Sequence, residues 1–194
     1  MSAVTSAPAS SRVDAARRVL RGLLSGESRD PDWMEAIPTL GVDWLQQQQL
    51  SPLVWLRVRK STALPPKLRD ALHHSYLAAI ADAELHQHEL RAVLQTLAAC
   101  DIQPGVFKGA ALAHTVYPDP VCRPMGDLDL WIAPADMPRA RAALEQIGYR
   151  VDPRPDRPLA LMEHFKGEIG LSHQHPAYGL VELHWSVFVG NGCA

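Results

Sequence analysis

The chain has 194 residues, of which 47% are hydrophobic and 21% charged, and its formal net charge is −2. This composition is ordinary for a globular protein that is large enough to bury a hydrophobic core. The near-neutral charge argues against a surface that holds long nucleic acid, because such domains are usually strongly basic. The sequence has no run of 18 apolar residues, so no transmembrane helix is predicted.

The three cysteines, Cys100, Cys122 and Cys193, are odd in number and lack CxxC spacing. Such a pattern argues against a disulfide framework and against a structural zinc site, and it indicates reduced thiols in a cytoplasmic protein. Residues 1–11 are rich in Ser, Ala and Pro and lack the basic and apolar regions of a secretion signal. They predict a short disordered tail.

Residues 12–99 carry apolar side chains at helical spacing. The pattern predicts helices over residues 12–24, 33–37, 42–50, 52–60 and 67–99. Pro38 is expected to end the second of them. His86 and His88 in the longest helix are two residues apart and point to different faces, so they are not predicted to form a ligand pair. The region is predicted to be all helical, with no chemistry that the pattern identifies.

After Asp101 the pattern changes to short strands that alternate with helices. Strands are predicted over residues 102–107, 127–132, 149–151, 169–172 and 180–189, and helices over 110–116 and 134–146. The last two strands are expected to pair antiparallel around a turn at 175–179. Three prolines indicate a loop at 152–158. The order β-α-β-α-β-β predicts an α/β or α+β core in residues 100–194.

Two acids, Asp127 and Asp129, lie two residues apart in the second predicted strand, which places both carboxylates on one face. Adjacent carboxylates repel each other, and Mg²⁺ prefers oxygen ligands, so the pair predicts a site for the ions of two-metal phosphoryl chemistry. Glu182 and His184 share a face of the last strand by the same alternation. Glu182 could complete a cup of carboxylates for two Mg²⁺ ions, whereas His184 is interpreted as a supporting residue.

Two cations and a helix start near these acids suit the triphosphate of a nucleotide. Lys108 offers a point charge, and Arg123 offers a bidentate fork. Gly109 and Ala110 stand where a predicted helix begins, and its N–H groups and positive dipole end favour phosphate.

Each of these features also has an ordinary structural interpretation. An Asp-x-Asp pair on a strand is common without metal, Lys-Gly is a frequent loop dipeptide, and Glu182 with His184 could form a solvent-facing surface. His173 and His175 could in principle bind Zn²⁺, but no Cys or third His lies close to them in the sequence.

The combined series V-F-K-G-A-A-L-A, Y-P-D-P, R-P-M-G-D-L-D-L, L-E-Q-I-G-Y and V-E-L-H-W resembles the uncharacterised nucleotidyltransferase family of bacteria. That family belongs to the DNA polymerase beta-like nucleotidyltransferase superfamily. The resemblance implies an α+β fold, a nucleotidyltransferase-like mixed β-sheet flanked by helices, beside the all-helical N-terminal region. It implies these site residues: a turn of Lys108, Gly109 and Ala110, a metal pair of Asp127 and Asp129, a third acid Glu182, and Arg123 before the pair.

Enzymes of this superfamily move a nucleoside monophosphate from a triphosphate to a hydroxyl or phosphate and release pyrophosphate. The resemblance therefore implies a Mg²⁺-dependent nucleotidyltransferase that uses ATP or another nucleoside triphosphate. No segment specifies the acceptor, which could be a small molecule, a peptide, a protein or an RNA end. Members of the family usually continue beyond the V-E-L-H-W strand, so a core shortened at its C-terminus is expected here.

Two alternatives remain open at the level of sequence. The chain could be a weakly active or inactive protein that keeps the fold and binds a partner through residues 12–99. It could also be a hydrolase that uses the same carboxylates on a phosphoester.

Overall fold

The computed structural model describes residues 9–25, 31–151 and 167–186, and the chain divides into two compact units between Ile80 and Ala81. Several predicted features lie outside the described residues: most of the N-terminal tail, the loop at 152–158, the end of the strand predicted over 180–189, and Cys193. The fold is α+β, as predicted. In the described part of the chain no helix is both long enough and apolar enough to cross a membrane.

Most of the described residues of the first unit are helical, as their apolar spacing predicts. The helices are α1 (Ala9–Leu24), α2 (Ile37–Leu40), α3 (Val42–Gln47), α4 (Ser51–Val58) and α5 (Pro66–Ala98), which continues into the second unit. Their apolar faces and the 3₁₀ helix before α2 form one buried cluster that includes Ala15, Val19, Trp33, Ile37, Leu45, Val54, Val58 and Leu72.

The prediction that Pro38 ends a helix is wrong. A 3₁₀ helix, Pro31–Ala36, precedes α2, and Pro38 lies in the first turn of α2. Proline is well tolerated there because the N–H groups of a first turn have no partner within the helix.

The second unit is built around a five-stranded mixed sheet. Its strands are β1 (Gly105–Val106), β2 (Asp127–Trp131), β3 (Tyr149–Val151), β4 (Glu168–His173) and β5 (Leu180–His184). They lie in the order β1-β2-β5-β4-β3, in which β2 and β5 are parallel and the other neighbours are antiparallel. Helix α6 (Lys108–Thr115) joins β1 to β2, and α7 (Met137–Gln146) joins β2 to β3. The predicted antiparallel pairing of the last two strands is confirmed.

Strand β1 is shorter than the six residues predicted. The N–H of Ile102 still bonds to the carbonyl of Leu97 and so closes the end of α5. Pro104 has no N–H to donate to a neighbouring strand. Only Gly105 and Val106 therefore pair in register with β2, and the N–H of Phe107 adds one further bond to the carbonyl of Asp129.

The alternation of β2 and β5 separates an apolar face from a polar face. Leu128 and Leu130 pair in register with Val181 and Leu183, and all four side chains are fully buried. They pack in a core with residues from the helices and strands of the same unit, among them Val93, Leu97, Ala140, Leu144 and Leu171. The acidic residues of both strands lie on the opposite face.

A buried acid that the sequence pattern does not reveal, Glu89 of α5, anchors the hairpin between β4 and β5. The side chain of Glu89 is 1% exposed, and its Oε1 accepts a hydrogen bond from the hydroxyl of Tyr149 at 2.6 Å. Both carboxylate oxygens also accept from the N–H of Gly179, at 3.0 and 3.1 Å. Burial raises the pKa of Tyr149, and the hydrogen bond to Glu89 raises it further. Because Gly179 directly precedes β5, the anchor fixes where that strand begins.

We expect Gly148→Ala to lower the free energy of unfolding by about 2 to 3 kcal/mol. Gly148 has a φ of +102°, and a Cβ there would lie 2.8 Å from Nε2 of His173. The substitution therefore adds backbone strain to a steric clash. Chemical denaturation would measure the loss. In the control Gly105→Ala the new Cβ meets nothing closer than 3.5 Å, and an equal loss in that control would contradict the explanation.

Candidate metal and phosphate site

The predicted acidic residues meet where the parallel strands β2 and β5 pair. Asp129 lies opposite Glu182 in the register, and Trp131 lies opposite His184. Asp127, Asp129, Glu182 and His184 therefore share the polar face of the sheet, as strand alternation predicts. Asp129 and His184 are only 3% and 4% exposed, whereas Asp127 and Glu182 are partly exposed.

Asp129 is the centre of this site because two cationic side chains bond to the same oxygen. Oδ1 of Asp129 accepts from Nζ of Lys108 at 2.6 Å and from Nε2 of His184 at 3.0 Å. Burial would raise the pKa of Asp129, but the hydrogen bonds from His184 and Lys108 hold it below its ordinary value. Asp129 is therefore an anion at neutral pH, although it is buried.

His184 lies among three carboxylates. Besides its bond to Asp129, its Nε2 is 3.6 Å from Oε2 of Glu182, and its Nδ1 is 3.5 Å from Oε2 of Glu168. Burial would lower the pKa of His184, but the contacts with Asp129 and Glu182 outweigh it and raise that pKa to about 9. The imidazole is therefore a cation at neutral pH, a property that the residue types alone do not reveal.

The negative charge of the acids is only partly neutralised. The contact with His184 at 3.6 Å lowers the pKa of Glu182 more than burial raises it. The pKa of Asp127 is raised, first by burial and then by the charges of Asp129 and Glu182, against a smaller opposing effect of Lys108 and Arg123. A cation bound beside Asp127 would relieve this repulsion, so the charges of the site fit a divalent metal ion.

Lys108 is held in an uncommon backbone conformation. It is the first residue of α6 and has a φ of +50°, in the left-handed region that residues other than glycine seldom occupy. Strain of this kind is concentrated at functional sites. Burial opposes its charge, but the hydrogen bond to Asp129 prevails and raises the pKa of Lys108. Its side chain is 52% exposed.

The start of α6 has no side-chain cap, and its first turn contains Gly109 and Ala110, which are both buried. A Cβ on Gly109 would lie 3.2 Å from Cγ of Met125 and 3.9 Å from Nη2 of Arg123. A glycine at this position therefore allows the loop before β2 to approach the helix. The guanidinium of Arg123 donates to the carbonyl of Pro124 at 3.0 Å and lies beside the turn rather than on the carboxylates.

Two neighbours of His184 were missed by the sequence reasoning, Phe107 and Glu168. The ring of Phe107 meets the imidazole edge-on, with 5.0 Å between centroids, and its N–H bonds to the carbonyl of Asp129. Glu168 is paired with His184 in the register of β4 and β5. Alternation shows that Glu168 lies on one face of its strand, but it does not show which residue stands opposite.

One carboxylate or ring-nitrogen atom from each of Asp129, Glu182 and His184 lies within 4.8 Å of the others, and no other such group of three is found in the described residues. While His184 is protonated, only the two carboxylates of this group can bind a metal ion. His173 is not part of it. Nδ1 of His173 accepts from the N–H of His175, and its Nε2 is 2.9 Å from the carbonyl of Ile147, which leaves no ring nitrogen for Zn²⁺. Cys100 and Cys122 are not joined in a disulfide.

A sequence model of the family described as uncharacterised nucleotidyltransferase matches residues 38–194. No curated protein and no solved structure matches the chain significantly. The match to the family model covers most of the chain and every residue of the site described above. The chain therefore belongs to the family of uncharacterised nucleotidyltransferases.

Proposed function

We propose that the chain is a Mg²⁺-dependent enzyme that moves a nucleoside monophosphate from a nucleoside triphosphate to a hydroxyl or phosphate acceptor. One observation carries this proposal: three carboxylates from two parallel strands lie beside the uncapped start of α6 and the ammonium of Lys108. Family membership supports nucleotidyl transfer in general. The metal, the triphosphate and the residue roles are our proposal.

Asp127 and Asp129 would hold both Mg²⁺ ions, and Glu182 would hold the ion nearer the acceptor. Bound Mg²⁺ would supply Lewis acidity to the acceptor oxygen and charge neutralisation to the departing pyrophosphate. The acceptor oxygen forms a bond to the α-phosphorus as the bond from that phosphorus to the bridging oxygen breaks. Glu182 has a lowered pKa and is ionised at neutral pH, so it can take the proton that a hydroxyl acceptor loses.

The triphosphate would be held at the start of α6. Lys108 and Arg123 provide positive charge, and the N–H groups of Gly109 and Ala110 point from the first turn. Ala110 has no hydroxyl, so its backbone N–H is the only group of this residue that could donate to phosphate. Catalysis would come mainly from positioning and charge neutralisation, as is general for phosphoryl-type transfer.

Thermal unfolding with each nucleoside triphosphate plus Mg²⁺ would test the proposal. At about 100 times the dissociation constant, binding should stabilise the parent by roughly 2.7 kcal/mol, a shift on the order of 5 to 10 °C in Tm. We expect no shift with EDTA or in the Asp127→Asn/Asp129→Asn variant. The triphosphate that gives the largest shift would identify the preferred base and would then be used to search for an acceptor adduct by mass spectrometry.

Other outcomes would favour the alternatives. If no triphosphate shifts the Tm of the parent in Mg²⁺, the proposal fails and the partner-binding interpretation gains support. If phosphate or nucleoside monophosphate is released without any adduct, the chain is a hydrolase that uses the same acids.

A further inference from the structure

We propose that Lys108 is an internal counter-ion. It pairs with the carboxylate of Asp129 when no metal is bound, and it moves to the triphosphate when a divalent cation binds to that carboxylate. This inference rests on the proposed function. It assigns to one residue two successive positions, at the buried carboxylate and at the phosphates.

The inference rests on the contact between Lys108, whose exposed side chain can move, and Asp129, whose buried side chain is held in place. Nζ of Lys108 is 2.6 Å from Oδ1 of Asp129, and the two side chains are 52% and 3% exposed. The ammonium therefore reaches the buried carboxylate from the solvent side on a flexible stem, and it can leave without any rearrangement of the sheet. Asp129 cannot follow it, because its strand is paired on both sides.

The second cation at Asp129 cannot leave in the same way. His184 is 4% exposed, lies in β5, and has the ring of Phe107 against its edge. Both cations bond to the same oxygen, so a metal ion that binds there meets an ammonium at short range. Like charges at such short distances repel each other strongly near a protein surface. Because Lys108 is exposed and His184 is buried, Lys108 is the cation that moves away.

Release of Lys108 would couple the binding of the metal ion to the binding of the triphosphate. Lys108 begins α6, so its freed ammonium stays beside the uncapped N–H groups that suit phosphate. Metal binding would then improve the triphosphate site, and by reciprocity triphosphate binding would strengthen metal binding. This coupling adds to any direct contact between the metal and the phosphates.

A calorimetric titration with Mn²⁺ in the absence of nucleotide tests whether the metal ion and Lys108 compete for Asp129. We expect Lys108→Met to bind Mn²⁺ at least about tenfold more tightly than the parent, because the competing ammonium is gone. The same variant should bind the Mg²⁺–triphosphate more weakly. Lys67→Met removes an equal charge from an exposed position in the first unit and should behave like the parent.

Equal Mn²⁺ affinity of the parent and Lys108→Met would overturn the competition, and the proposed function would stand if the parent still binds a triphosphate with Mg²⁺. Absence of Mn²⁺ binding in both proteins would overturn the two proposals together. If Lys108→Met does not fold, the parent itself is informative. The ¹³Cε resonance of Lys108, assigned with Lys108→Arg, should shift on addition of Mg²⁺ alone, and an unchanged resonance would refute the displacement.

Discussion

Asp129→Asn is expected to lower the rate of nucleotidyl transfer by about 10³-fold or more. The proposal places both metal ions on this carboxylate, and Lewis-acid stabilisation of a transition state amounts to several kcal/mol. A loss of about 4 kcal/mol corresponds to about 10³ in rate. Asp127→Asn should lower the rate by a similar factor, because it removes the other shared ligand.

The two variants should differ in the stability of the metal-free protein. Asp129→Asn leaves the buried imidazolium of His184 without its closest anion, which should cost about 2 to 4 kcal/mol of unfolding free energy. The folded-state pKa of Asp127 is raised, so its charged form costs stability at neutral pH. Asp127→Asn removes that cost and should leave the protein unchanged or more stable by up to about 1 kcal/mol.

Steady-state kinetics and chemical denaturation in EDTA would compare the two variants. Asp136→Asn is a suitable control, since Asp136 precedes α7 and pairs with Arg139 outside the site. It should retain the parent rate. Wild-type rates in both Asp variants would exclude the site from catalysis. An equal loss of stability in both would contradict the distribution of charge described here.

Local periodicity was sufficient to predict most of the fold and the grouping of the acids. Helical spacing located α5, and period-two alternation put Asp127, Asp129, Glu182 and His184 on one polar face. These features depend on near neighbours in the chain, which a single sequence displays.

The remaining features depend on contacts between residues that are distant in the sequence. The register that places Glu168 beside His184 is a property of two paired strands. The anchor from Glu89 to Gly179 spans 90 residues. Neither has a local pattern, because any acid on an amphipathic helix or strand can equally face solvent. The division of the chain into a tail, a helical region of residues 12–99 and a core of 100–194 stays a prediction.

The free energy of unfolding of the metal-free protein is expected to fall as pH rises from about 6.5 to about 9. The pKa of His184 is about 9 in the folded protein, against an ordinary value of 6.5. The folded state therefore holds this proton more tightly than the unfolded state does. The resulting stabilisation is fully present below pH 6.5 and is lost as pH rises through 9. The difference between the two pKa values corresponds to about 3 kcal/mol.

The other shifted groups around His184 change their contributions outside this range. The pKa values of Asp129 and Glu182 are lowered from 3.8 and 4.5, so their stabilisation is lost only in acid. The pKa of Lys108 is raised from 10.5, so its stabilisation is lost only at higher pH. Chemical denaturation in EDTA across this range should therefore show a slope in the parent that His184→Gln abolishes. His114→Gln changes an exposed histidine of α6 and should keep the slope. If the free energy of unfolding of the parent does not change with pH, or if it changes equally in His184→Gln, the imidazole of His184 is not the buried cation of the site.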